Sequence, residues 1–168
     1  MPRHSLPLAA VCATLVLGAC GMLTSVPDDS RPKSGVATRQ AGPAEDVVLF
    51  ALGLIETHYR FGGKNPEAGL DCSGMVSYVF SQAAGLRLAG SAADMAKRGR
   101  PVEIADMKPG DLVFFNTLDR PRSHVGIYIG DGRFVHAPSS KGEARVRTDS
   151  LRQGWFASRF EEARTYFD

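Results

Sequence analysis

An α+β domain with a mainly antiparallel sheet is predicted by three features of the 168-residue sequence. Helical apolar periods fill the first half of its foldable region. Short runs rich in Val, Ile, Phe and Tyr fill the second half. Between two of those runs Gly130-Asp131-Gly132 forms a tight hairpin turn. Helices first and strands after give an α+β domain with a mainly antiparallel sheet.

Val47, Val48, Ala51, Leu52, Leu54 and Ile55 recur with helical spacing after the start signal Pro43, predicting a helix over 44–58 with His58 as a polar cap at its end. Tyr59-Arg60-Phe61-Gly62-Gly63 breaks it with paired glycines. A second helix is expected over 72–84, with Val76, Val79, Phe80 and Ala83 on one face and Gly85 as its stop. Ser91-Ala92-Ala93-Asp94 resembles a capping box and opens a short third helix. Beyond Pro109-Gly110, strands are expected over 111–115, 125–129, 133–136, 144–147 and 159–165.

The length allows one folded domain and little else, and 43% hydrophobic residues suffice for one core. A formal net charge of +2 with scattered Lys and Arg gives no field that points to nucleic acid. A monomer is expected, and no cofactor is implied.

The N-terminus reads as an address. Arg3 and His4 precede a short apolar run through Leu17, too short for a comfortable span of about 20 residues. Leu17-Gly18-Ala19-Cys20 resembles a lipobox, where lipid is attached to cysteine and the chain is cut just before it. Residues 1–19 are thus expected to be a lipoprotein signal peptide and Cys20 the lipidated residue; an ordinary signal cut near Ala19 is the alternative. Residues 20–43, rich in Ser, Pro, Gly and charge, read as a flexible tether with a coil span of roughly 25 Å. The folded domain then covers 44–168. In a host with two membranes, Gly21 after the lipid cysteine, rather than Asp, suggests the outer membrane, with the domain in the periplasm.

Of the three cysteines, Cys12 would leave with the signal and Cys20 would carry lipid. Cys72 then stands as a lone thiol in an exported chain, either buried and inert or kept for its chemistry. At a helix start the unpaired N–H groups and the dipole favour an anion, which lowers a thiol pKa. Asp71 can cap that helix, although its charge partly opposes the fall. Small residues Ser73 and Gly74 would let a substrate approach the sulfur.

A thiol peptidase also needs a base. Of the four histidines, His124 and His136 lie on strands joined by the Gly130-Asp131-Gly132 hairpin. If Gly130 opposes Arg133, then His136 faces Ile127, with His124 about three residues further out. The two histidines share a face only if a twist or bulge intervenes. Either could instead be a hydrogen-bonded structural residue. Zinc on Cys72, His124 and His136 is a further alternative, but no CxxC or HxxxH spacing supports a metal site.

Five blocks, in order, carry a resemblance: Tyr59-Arg60-Phe61-Gly62-Gly63, Leu70-Asp71-Cys72-Ser73-Gly74, residues 107–115 (MKPGDLVFF), 123–130 (SHVGIYIG) and 133–137 (RFVHA). Together they resemble the NlpC-type cell-wall endopeptidases over about residues 44–168. The resemblance implies a circularly rearranged papain-like domain, with N-terminal helices packed on a small sheet. It implies Cys72 as nucleophile, His124 as general base and acid, and His136 as the residue orienting the base. It places Tyr59 near the thiol to help the oxyanion, and Asp71 and Ser73 where relatives bind a free amino terminus of the substrate peptide. The partners so implied are peptidoglycan stem peptides, with hydrolysis at a γ-D-glutamyl to diamino-acid bond or a crosslink bond. An amidase or acyltransferase on the same fold, and a non-catalytic wall-binding lipoprotein, are the alternatives. One departure stands out: Leu88-Ala89-Gly90-Ser91 replaces a Pro-Arg-Thr-like segment of relatives, which bears on the shape of the cleft.

Overall fold

In the computed structural model, residues 42–139 and 143–167 are described. The expected signal over 1–19, the lipidated Cys20 and nearly all of the tether lie outside the described residues. Gly42 and Pro43, at the tether's end, form the N-cap and first residue of helix α1 (Pro43–Gly53). Pro43 has no N–H to lose there, and Glu45 and Asp46 sit against the positive end of the helix dipole.

Helix α1 stops five residues short of the expected end. Glu56 turns to φ 75°, and its N–H donates to the Val146 carbonyl at 2.9 Å while the Val146 N–H returns to the Thr57 carbonyl at 2.8 Å. Pairing with a distant segment therefore captures the backbone that the apolar period had assigned to a helix. His58 caps nothing and instead forms an isolated bridge with Arg145.

A small hairpin follows, of β1 (Lys64–Asn65) and β2 (Gly69–Leu70), which the apolar pattern had not marked. Helix α2 (Cys72–Ala84) begins on Asp71 as N-cap and ends on Gly85 at φ 66°. Helix α3 (Ala92–Ala96) opens with the expected capping box of Ser91 and Asp94.

The remaining strands are β3 (Arg100–Val102), β4 (Leu112–Phe115), β5 (His124–Gly130), β6 (Arg133–His136), β7 (Arg147–Ser150) and β8 (Phe160–Thr165). They form one sheet in the order β3-β8-β4-β5-β6-β7, antiparallel throughout. The α+β expectation holds. Strand β3, with Pro101, was not foreseen; it sits at the sheet edge, where a proline costs least. Strand β7 lies three residues later than expected, because 144–146 are taken by backbone bonds to Glu56, Thr57 and Tyr59.

The sheet is buried on two sides. The helices cover one face, where Val47, Val76, Val79, Phe80 and Met95 meet Leu112, Phe114, Val125, Ile127 and Val135. Alternation sends Val113 and Phe115 to the other face, into a smaller cluster with Phe134, Phe156 and Ala163. No helix among the described residues is long and apolar enough to cross a membrane.

One irregularity decides the site. Gly130 opposes Arg133 as expected, but the register then shifts to Tyr128 against Phe134 and Ile127 against Val135. Ile129 is the extra residue of this bulge. Val135, not His136, faces Ile127, which corrects the sequence expectation. The shift of one residue turns His136 onto the face of His124.

Candidate active site

Helix α2 presents Cys72 in its first turn because Asp71 fixes that turn. The Asp71 carboxylate accepts from the Gly74 N–H at 2.7 Å, from the Ser73 hydroxyl at 3.0 Å and from the Gly62 N–H at 2.9 Å. The last bond ties the two-glycine turn to the helix start. Gly74 is needed for this approach, since a Cβ there would lie 1.9 Å from the Gly63 carbonyl oxygen. Its small size therefore serves the backbone of the turn, and Gly74 also lines the depression beside Ser73.

The backbone of Val125, the residue after His124, acts on the Cys72 thiol and favours its thiolate. Tyr59 stands beside it, close enough for both Cys72 and Asp71 to raise its phenol pKa after burial does, and it hydrogen-bonds Ser139. Burial, and then the Asp71 charge, push the Cys72 thiol up to about 11 against the backbone bonds that favour the thiolate. The expected depression by the helix start is outweighed, and the resting sulfur is a thiol.

His124 and His136 are in contact: His124 Nε2 lies 2.8 Å from His136 Nδ1. His136 is fully buried, and its Nε2 lies 2.8 Å from Asp149 Oδ2. The Arg147 Nε–H donates to the same oxygen at 3.0 Å. The rings are caged by aromatic groups, with Phe156 edge-on to His136 at 4.4 Å and Phe134 at 4.7 Å. This dry cage holds His124 well below the usual histidine range, chiefly by burial and then by His136 and Arg147. Burial also lowers His136, against the opposing pull of Asp149. Both imidazoles are neutral at pH 7. Gly126 makes the contact possible, because a Cβ there would meet Phe134 Cδ2 at 2.6 Å and His136 Cβ at 3.3 Å.

Two depressions flank this line. One of roughly 490 Å³ is lined by Lys64, Asp71, Ser73, Arg87 and the Leu88–Ser91 segment. The other, of roughly 200 Å³, is lined by Thr117, Leu118, His124, Ser139, Trp155 and Phe156. Cys72 lies between Asp71 and Ser73 of the first and borders the strand start that carries His124 of the second. Among the described residues, no three His, Cys, Asp or Glu side chains form a group that could hold a metal ion.

Every expected site residue in the described region falls in this area: Cys72, Tyr59, Asp71 and Ser73 around the helix start, His124 and His136 on the adjoining strands. Cys20 lies outside the described residues. Asp149, Arg147 and the Phe156 cage were missed. Arg147 and Asp149 are two apart and so share one face of β7, but the strand's placement depended on long-range pairing that no local pattern records.

Known proteins share this architecture. The chain is 40% identical over 121 residues to the gamma-DL-glutamyl hydrolase of Bacillus subtilis, a match covering 71% of this chain and 29% of that protein. It is 40% identical over 106 residues to the murein DD-endopeptidase MepS/murein LD-carboxypeptidase of Escherichia coli, covering 63% of this chain and 54% of that protein. The chain thus spans roughly a third to a half of the length of these curated relatives. The crystal structure of the NlpC/p60 domain of the peptidoglycan hydrolase SagA superposes with a TM-score of 0.63 at 34% identity, over 74% of this chain and 99% of that domain. With the model of the NlpC/P60 family matching residues 56–165, and the same papain-like arrangement of helix and antiparallel sheet, this chain belongs to the NlpC/P60 family.

Proposed function

We propose that the domain is a cysteine peptidase that hydrolyses peptidoglycan stem peptides. The observation that carries the reading is the buried His124–His136 contact between β5 and β6, at 2.8 Å, with His124 next to Val125, whose backbone lowers the Cys72 thiol pKa. His124 engages His136 through Nε2, which leaves Nδ1 as its catalytic nitrogen.

Chemistry follows from the resting state. The neutral Cys72 thiol gives its proton to neutral His124 as the sulfur attacks the substrate carbonyl, so the ion pair forms only with substrate in place. The Cys72 N–H and the Tyr59 hydroxyl stabilise the oxyanion. The imidazolium then protonates the leaving amine, and water releases the acyl group from sulfur. Asp71 and Ser73, on the wall of the larger depression, take the amino-terminal part of the peptide.

The names of the relatives support two bond choices, a γ-glutamyl bond and a DD-crosslink. The Asp71 carboxylate and Ser73 hydroxyl on the lining of the larger depression favour a substrate with a free amino group, hence the γ-D-glutamyl to diamino-acid bond. Mass spectrometry of defined stem peptides and muropeptides incubated with the full-length protein tests this. Fragments that appear with wild type and vanish with Cys72→Ala are expected; products that persist in Cys72→Ala would sink the nucleophile assignment. The motif Leu17-Gly18-Ala19-Cys20 supports a lipid anchor that tethers the domain, as a monomer, to the outer membrane on its periplasmic side. Cys20→Ser should move the protein from the membrane to the soluble fraction, and retention of lipid label would refute the anchor.

A further inference from the structure

Resting on the reading of Cys72 and His124 as thiol and base, we propose that Asp149 is a positioning residue which sets the proton direction through both histidines. A carboxylate can only accept, so the 2.8 Å contact between His136 Nε2 and Asp149 Oδ2 requires the proton on Nε2. In a neutral ring Nδ1 is then the acceptor. The 2.8 Å contact to His124 must in turn be donated by His124 Nε2–H. That leaves His124 Nδ1 as a lone pair, able to take the thiol proton.

Without Asp149 the same pair can run in reverse. His136 Nδ1–H would donate to His124 Nε2, the proton of His124 would sit on Nδ1, and no base would face the sulfur. The His–His hydrogen bond survives in both directions, so its geometry and its contribution to stability are indifferent to the choice. Only the acceptor at the far end discriminates, because a buried N–H aimed at no partner is costly. Arg147 completes the device by donating to the same Oδ2 at 3.0 Å while its Nη1 donates to the Glu143 carbonyl at 3.0 Å. The guanidinium keeps Asp149 anionic: its hydrogen bond and charge, with those of His136, hold the Asp149 carboxyl below the usual range against its burial. Burial, with a smaller contribution from the same positive charge, opposes protonation of His136 against the pull of Asp149, so the chain stays neutral and runs one way.

The test combines ring-nitrogen NMR with kinetics on the full-length protein. Long-range proton–nitrogen spectra of wild type should show both buried histidines as Nε2–H tautomers. Asp149→Ala should move His124 toward Nδ1–H and lower kcat by about 100-fold, with KM within about threefold; a wrong-tautomer change one residue closer in a serine triad costs about 10⁴. Asp149→Glu should recover at least about tenfold of that loss, which a merely structural role does not require. A wild-type His124 protonated on Nδ1 overturns the proposal, and that spectrum decides even if Asp149→Ala does not fold. So does an Asp149→Ala protein with unchanged tautomers and kcat. Activity surviving in Cys72→Ala would instead bring down the nucleophile assignment, whereas an inactive Cys72→Ala beside a fully active Asp149→Ala overturns the Asp149 role alone.

Discussion

At Cys72 two opposing influences meet, and their magnitudes decide the chemistry. The helix start and the backbone bonds pull the thiol pKa down. Burial and the adjacent Asp71 carboxylate push it from 9.0 up to about 11. Asp71 cannot be spared to lower it, since its carboxylate holds Gly62, Ser73 and Gly74 in place. The free enzyme should therefore be alkylated slowly. At pH 8 the thiolate fraction falls about a hundredfold relative to an unperturbed thiol, the ratio set by moving from 9.0 to about 11. Iodoacetamide kinetics against pH check this: labelling of Cys72 should stay far slower than a model thiol through pH 8 and keep climbing above pH 9, where the model thiol levels off. Fast labelling near neutrality would show a thiolate–imidazolium pair at rest.

At the scale of elements, the β5–β6 hairpin turns two histidines into a pair. The sequence marks the hairpin and both residues, but an unbroken register would put His136 against Ile127 and on the wrong face. The bulge at Ile129 corrects that by one residue, and one residue is the whole difference between facing the aromatic cage and facing the helices. Gly126 lets β6 lie close enough for the contact. Gly126→Ala should force Phe134 and His136 aside, costing about 1–3 kcal/mol by overpacking and reducing kcat together with stability. Urea unfolding and peptide hydrolysis measured on the same preparation check it; an unperturbed midpoint with full activity would mean that the strands separate more easily than the packing indicates. Helix α2 is the contrasting case. Its start at Asp71-Cys72, its cap and its Gly85 stop were all legible, because capping is local chemistry within a few residues. The end of α1 was not, because Val146 captured it from ninety residues away in sequence.

For the whole molecule, the dry cage around the histidines makes stability depend on pH. Both imidazoles have folded pKa values below the unfolded 6.5, so between the folded values and 6.5 the unfolded chain binds more protons. Stability from this source is fully present above pH 6.5 and is lost as the pH falls below it. Asp149 and Glu162, held below the usual carboxylate range by their Arg and His partners despite burial, add a second loss that begins nearer pH 4. Thermal unfolding between pH 7.5 and 5.0 should show a falling Tm, with a shallower slope in His124→Gln. A flat wild-type profile across that range would show that the histidines are hydrated in the folded state.

The local features were legible in the sequence: the α+β order of elements, the helix start that presents Cys72, the hairpin turn, the capping box and the residue types of a thiol peptidase. Each depends on neighbours within about ten residues, so spacing and turn chemistry suffice. The relation between distant parts emerged with the folded chain alone. The bulge that pairs His124 with His136, the capture of the α1 end by residues 144–146, the raised Cys72 pKa and the Asp149–Arg147 end of the histidine chain all follow from strand register and burial. Those arise when segments far apart in sequence close on one another, and the free energy that selects them belongs to the assembled core rather than to any local run of residues.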